Sequence, residues 1–197
     1  MAMYQPKDHY FNKAKQENYP ARSVYKLEEI DRRYKLLAAG DRVLDLGCAP
    51  GSWLKYAAQR VGEKGLAVGI DLKPLNIALP PQAHFLQMDI FSVKPGDLNQ
   101  YAQKFEVVLS DMAPATTGVR LADEQKSLDL ARRALELAQE FLVPGGKFVA
   151  KLFEGEDFSG LVNEIKPQFK KVQLIRPQAT RKGSREIFVL GLDFLKK

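Results

Sequence analysis

The chain of 197 residues has a single cysteine, two histidines and one tryptophan, and nowhere an apolar run long enough to span a bilayer. Each shortage excludes something. Cys48 has no partner for an internal disulfide, so the fold must be held by its core. Zinc sites draw three or four His and Cys ligands, and His9, Cys48 and His84 are the whole supply, so no metal centre is expected. Without a transmembrane candidate or a signal-like N-terminus, the expectation is a soluble cytoplasmic protein that touches no membrane. No internal repeat, low-complexity tract, interdomain linker or dimerisation element is legible. One domain over residues 1–197 and a monomer are therefore expected, and the length suffices to bury a core without disulfides or metal.

Acid is scarce too, but only at the ends. Residues 166–197 carry nine Lys/Arg against two Asp/Glu and residues 1–35 eight against five, whereas residues 36–165 carry 13 against 17. Two basic ends around an acidic middle suit one polyanion-binding face if the fold brings them together. Residues 1–20, with Tyr4, Tyr10 and Phe11 among their cations, show no clean period and read as a basic arm; residues 21–197 read as the core. Near the other end, Arg176 to Arg185 is a basic loop punctuated by Pro177 and Gly183. Lys7, Lys13, Lys15, Arg22, Arg181, Lys182 and Arg185 are the candidate phosphate contacts.

What the chain does have is organised around Val43 to Trp53. Arg42 to Leu46 is the short branched run of a buried parallel strand, Gly47 to Gly51 is a turn with no room for bulk, and a helix follows from about Ser52 to Val61. Strand, glycine turn and helix N-terminus open a nucleotide-binding α/β sheet. Gly47 and Gly51 stand four apart, which departs from the dinucleotide spacing G-x-G-x-x-G. Asp45 would repel a pyrophosphate and suits a ligand carrying an amino group or a sulfonium. The spacing therefore points to S-adenosylmethionine rather than NAD.

Strands and helices then alternate as a doubly wound fold requires. Leu66 to Asp71 is a second strand whose terminal acid stands where a carboxylate commonly meets ribose hydroxyls. Phe85 to Asp89 and Phe105 to Asp111 read as the third and fourth. A long helix runs from about Ala122 to Phe141 and stops at Pro144-Gly145-Gly146. A fifth strand spans Lys147 to Leu152, a helix Asp157 to Phe169, and the last strands Lys171 to Ile175 and Glu186 to Leu192. Before the sheet, Ser23 starts a helix with Val24, Leu27, Ile30, Tyr34 and Leu37 as its apolar stripe. Lys26 lies off that stripe and, taken locally, reads as solvated. Lys151, at the end of an apolar strand, must escape to solvent or be held by acids.

Five segments carry a resemblance that runs along almost the whole chain: Ala21-Arg22-Ser23-Val24-Tyr25-Lys26-Leu27, Asp45-Leu46-Gly47-Cys48-Ala49-Pro50-Gly51-Ser52-Trp53, Ser110-Asp111-Met112-Ala113-Pro114, Val149-Ala150-Lys151-Leu152-Phe153 and Ser184-Arg185-Glu186-Ile187-Phe188. In these the sequence resembles the FtsJ-like (RrmJ/RlmE) ribose 2′-O-methyltransferases. The resemblance implies a Rossmann-like sheet of seven strands, mostly parallel with the last antiparallel, and helices on both faces. It implies S-adenosylmethionine as cofactor and a catalytic group of Lys26, Asp111, Lys151 and Glu186, which overturns the local reading of Lys26. Around the cofactor it places Asp45, Gly47, Pro50, Gly51 and Trp53 near the methionine half, Asp71 and Leu72 near the ribose, Asp89 near adenine and Asp111 at the methyl. Lys151 would act on the hydroxyl, as a neutral base or as a cation stabilising the developing alkoxide, with Asp111 and Glu186 positioning it.

The short chain is most like members that methylate a uridine of large-subunit (23S) ribosomal RNA in the 50S particle. A transfer-RNA anticodon-loop enzyme and a non-catalytic RNA-binding protein on the same fold are the alternatives. The loop after the fourth strand lacks the Asn/Asp-Pro-Pro-Tyr of amino-group methyltransferases and the Pro-Cys of cytosine C5 methyltransferases, which disfavours both.

Overall fold

The computed structural model describes residues 9–114, 118–155 and 157–195, so Lys7 of the candidate contacts lies outside the described residues. Strands β1 (Arg42–Leu46), β2 (Leu66–Asp71) and β4 (Phe105–Ser110) are near-continuous apolar runs, and such runs belong in a sheet covered on both faces. They pair in parallel, with β1 between β2 and β4. Outside them lie β3 (Ala83–Gln87) against β2 and β5 (Leu142–Phe153) against β4. Strand β7 (Glu186–Phe194) runs antiparallel to both of its neighbours, β5 and β6 (Phe169–Ile175). The order is β3-β2-β1-β4-β5-β7-β6, the seven-stranded sheet with an antiparallel last strand that the motifs imply.

Successive strand residues face opposite sides. Leu44, Leu46, Val108 and Phe148 pack towards α5 (Arg120–Phe141) and α6 (Phe158–Ile165) through Leu128, Leu135 and Leu161. On the other face Val43, Leu109 and Val149 meet Leu27 and Ile30 of α2 (Val24–Tyr34) and Leu54 of α3 (Ser52–Val61). The chain winds outward from β1 in one direction and from β4 in the other. Their carboxyl ends therefore border a crevice, the position at which ligands enter sheets of this kind.

Several boundaries differ from the sequence reading. Residues 9–16 form a helix, α1 (His9–Gln16), rather than an arm. It docks because Ala14 is buried with Tyr25, Val24 and Ala179 while Tyr10 and Tyr19 close over them. The third strand ends at Gln87, two residues before Asp89, which lies in the turn that follows. Strand β5 begins at Leu142, directly after α5, and runs through Pro144-Gly145-Gly146. Its pairing with β4 shifts register between Phe105 and Val107, which takes up the irregular residues as a bulge. One short helix not expected, α4 (Pro95–Leu98), closes the loop before β4.

Candidate active site

Two concavities open at the carboxyl ends of the strands. The first, about 610 Å³, is a cleft along the crevice lined by Gly47, Ala49, Asp71, Leu72, Asp89 and Asp111, with Phe91, Met112 and Leu130 among the remaining walls. The second, about 470 Å³, is a recess lined by Arg22, Ser23, Lys26, Arg181, Lys182, Ser184 and Glu186. The two share no lining residue.

Lys151, only 6% exposed, stands between residues of both. Its ammonium lies 3.0 Å from Asp111 Oδ1 and donates to the Asp111 carbonyl at 2.7 Å. On the other side Glu186 Oε1 is 3.9 Å away, while Glu186 Oε2 accepts from Lys26 Nζ at 2.7 Å. Asp111, Lys151, Glu186 and Lys26 thus form one chain of alternating charge from cleft to recess. Burial pushes the Glu186 carboxyl up, but Lys26, Lys151 and Ser184 together outweigh it and hold the group below the usual carboxylate range. Lys26 is buried, its Nζ 5.7 Å from the centre of the Phe188 ring, and Glu186 is half-buried.

The glycine turn does its work through neighbours. Gly47 has φ +73°, and a Cβ there would lie 2.2 Å from Met112 Cγ. Met112 therefore closes over bare backbone. Gly51, at φ +103°, is bare for a different reason, since a Cβ would meet Ile77 at 2.5 Å. Pro50 is exposed, and neither it nor Gly51 lines the cleft. Trp53, expected beside the cofactor, is 2% exposed and also does not line it. Its Nε1 donates to the Ser23 carbonyl at 2.9 Å and its ring stacks on Phe188 at 5.7 Å. The neighbouring Ser52 Oγ accepts from the Ala21 N–H at 2.8 Å. Ser52 and Trp53 therefore fasten the start of α2, and with it Lys26, to α3.

Asp71 Oδ2 accepts from the Ala49 N–H at 2.8 Å, and Oδ1 from the Lys73 N–H at 2.8 Å, which fixes the carboxylate at the cleft wall. Asp89 Oδ1 accepts from the Phe91 N–H at 3.0 Å. Leu72 and Phe91, 65% and 57% exposed, both line the cleft, a placement that suits covering a flat ligand. Behind Gly47, Asp45 is wholly buried and neither oxygen has a hydrogen-bond partner. Burial first, then the charges of Asp111 and Asp71, push its pKa well above the carboxylate range.

An acid raised in this way stays protonated in the fold after the unfolded chain has ionised, so its contribution to stability fades as pH climbs above about 4. Asp45→Asn is expected to remove that slope: urea midpoints of ligand-free protein measured across pH 5 to 9 should fall less steeply than those of the wild type. An unchanged slope would mean that Asp45 is ionised throughout.

The basic residues divide. Arg22 and Arg181 meet in the recess, where burial first and then the Arg181 charge lower the Arg22 pKa. Arg22 is pinned by donating to the Ala179 carbonyl at 2.5 Å and lies 5.4 Å from the centre of the Tyr10 ring. Lys182 joins them and Lys15 is exposed. The other two are ion-paired within the chain. Lys13 is taken up by Glu17 and Glu28, at 3.8 and 3.7 Å, and lies over the Tyr25 ring. Arg185 lies outside the recess and is ion-paired with Glu124. Phe91 and Leu130 were not legible as cleft residues, because an apolar side chain in sequence carries no mark of standing at a cleft. Among the described residues no three His, Cys, Asp or Glu side chains are grouped as metal ligands, and no helix is long and apolar enough to cross a membrane.

A crevice cradled by a glycine turn, on a Rossmann-like sheet with one antiparallel strand at its far side, defines a methyltransferase of the α/β class. The chain matches the FtsJ-like methyltransferases over residues 19–194 and belongs to that family. It is 50% identical over 185 residues to the ribosomal RNA large subunit methyltransferase E of Desulfatibacillum aliphaticivorans, covering 94% of this chain and 89% of that one. The protein of the same name from Bdellovibrio bacteriovorus is 48% identical over 193 residues, covering 96% and 98%. Among solved structures, a ribosomal RNA methyltransferase from Plasmodium falciparum superposes with a TM-score of 0.80 at 28% identity, covering 91% of this chain and 100% of that one.

Proposed function

We propose that this methyltransferase transfers a methyl group from S-adenosylmethionine to a ribose 2′-hydroxyl of large-subunit ribosomal RNA, a uridine of 23S RNA in the 50S particle. The observation that carries the reading is the chain Asp111–Lys151–Glu186–Lys26, which joins a nucleoside-sized cleft to a recess holding Arg22, Arg181 and Lys182. The names of the relatives support the choice of RNA.

The cleft suits the methyl donor. Phe91 would cover adenine, Asp89 its amino group, Asp71 and Leu72 the ribose, and Gly47 and Asp111 the methionine half. The orphaned carboxyl of Asp45 supports a cationic ligand in particular, since positive charge brought near it favours ionisation of an acid that burial disfavours in its charged form. When bound there, S-adenosylmethionine supplies a methyl group already activated for transfer, so the chain's own residues need only orient the acceptor and manage its proton. Arg22, Arg181 and Lys182 hold backbone phosphate. Lys151 meets the 2′-hydroxyl, accepting its proton as a neutral amine or stabilising the developing alkoxide as a cation. Asp111 and Glu186 aim the nitrogen, and Lys26 keeps Glu186 ionised beside it.

The test is transfer from labelled S-adenosylmethionine to 50S particles, free ribosomal RNA and transfer RNA from cells lacking the gene, with the product mapped by resistance to alkaline cleavage. One 2′-O-methylated large-subunit nucleotide is expected. Transfer to an anticodon loop, or donor binding without transfer to any of the three, overturns the reading.

A further inference from the structure

Arg185 sits in the basic loop beside Glu186, yet it does not line the recess that Arg181, Lys182, Gly183 and Ser184 help to form. Its guanidinium reaches α5 instead, where Nη1 donates to Glu124 Oε1. The acceptor is not an ordinary surface acid. Glu124 is 6% exposed, and its carboxylate lies directly against Gly155, where a Cβ would come within 2.5 Å of Oε2. The backbone is tied at the same place: the Arg185 carbonyl accepts from the Glu154 N–H at 2.9 Å, one step beyond the register pair Phe153 and Glu186.

Glu124 therefore gathers three segments, and each leads to a member of the charged chain. Helix α5, which carries Glu124, is the element that follows Asp111 in the sequence. Glu154 and Gly155 follow the end of β5, which carries Lys151. Arg185 adjoins Glu186 and holds the near end of β7. A carboxylate as buried as this one depends on its ion pairs for its place, and removing the Arg185 guanidinium withdraws one that also ties it to the start of β7.

We propose that Glu124 and Arg185 form a positioning pair that sets the spacing of Asp111 and Glu186 about Lys151, and that Arg185 is not an RNA contact. The inference rests on the RNA methyl-transfer reading above. It separates cleanly from the role that charge alone suggests. Removing a cation that holds RNA phosphate raises KM for RNA and flattens the dependence of log K on log salt by about 0.7–0.9. Removing a positioning group lowers kcat and leaves both unchanged.

The experiment compares Arg185→Ala, Glu124→Gln, the double variant and Gly155→Ala, each first shown by thermal melting to be folded. Methyl transfer to 50S particles is measured as kcat and KM, and RNA binding is titrated at several salt concentrations. Each single charge variant is expected to lower kcat about tenfold, with KM and the salt slope at wild-type values. The double variant should be no slower than the slower single, because the two act as one unit. Gly155→Ala changes no charge, but its methyl displaces the Glu124 carboxylate, and it should lower kcat in the same way. If a truncation fails to fold, Arg185→Lys, which keeps charge and loses the planar fork, carries the same comparison with Gly155→Ala.

Raised KM with a flattened salt slope and intact kcat overturns the proposal, as does a double variant whose loss is the product of the two singles. If the wild-type protein methylates none of the RNAs, the reaction assigned above is what fails. The pair is then judged on binding alone, where an unchanged salt slope in Arg185→Ala supports it and a flattened one overturns it.

Discussion

Lys151→Met is expected to lower the single-turnover rate of methyl transfer by about 10³-fold, the middle of the range for losing a positioned proton-transfer group. Methionine keeps an unbranched chain of similar length and removes the nitrogen that lies 3.0 Å from Asp111 and 3.9 Å from Glu186. Glu186 still has Lys26 as a partner, whereas the Asp111 carboxylate loses the ion pair that aims it. Some stability should go as well, since leaving one partly buried charge without its partner is costly. Donor binding by calorimetry and a thermal melt distinguish a folded, donor-binding protein without chemistry from one that has lost its shape. A rate within a few-fold of wild type would remove Lys151 from the reaction.

Gly47→Ala is the second large effect, and it acts on binding. Two costs combine at this position. A non-glycine residue at φ +73° costs about 1–2 kcal/mol in the left-handed region. The new methyl also falls 2.2 Å from Met112 Cγ, so Met112 or the turn must move, and both line the cleft. Gly40 separates the two costs, because it has φ +88° with nothing within 4 Å of a Cβ. Gly40→Ala is expected to lower stability by about 1–2 kcal/mol and leave donor affinity unchanged. Gly47→Ala should lower stability by more and weaken S-adenosylmethionine at least tenfold. Equal effects from the two alanines would show that backbone strain alone decides, and that Met112 yields freely.

How far the chain can be read in advance depends on where each residue's partners stand in the sequence. Strands such as Val43 to Leu46 and Val107 to Leu109 declare themselves, because burial on both faces demands a near-continuous apolar run, broken in the first only by Asp45, and no distant information. Helix α1 does not. Its only buried residue is Ala14, and what holds it is the packing of that residue and Tyr10 against tyrosines of α2 and α3. Strand β5 is similar, since Pro144-Gly145-Gly146 reads as a stop until a bulge opposite Phe105 and Val107 absorbs it.

Lys26 shows the limit most clearly. Nothing within ten residues explains a buried lysine, for its partner, Glu186, lies 160 positions away and only the motif pattern joins them. Conversely Trp53 and Arg185 belong to motifs, yet their side chains contact partners that a motif alone does not suggest. Trp53 braces α2 rather than walling the cleft, and Arg185 turns to an acid that no local pattern marks.

Cleft and recess share no lining residue, and the charged chain between them has Lys151 buried at its middle while Asp111 faces the cleft and Glu186 the recess. For the proposed reaction this makes the two ligands independent passengers. Spent donor can leave without RNA moving aside, and RNA can dock on enzyme that is already charged or still empty. The kinetic mark of such an arrangement is random order of addition: the demethylated cofactor competes with S-adenosylmethionine but is noncompetitive against RNA, and neither ligand traps the other on the enzyme.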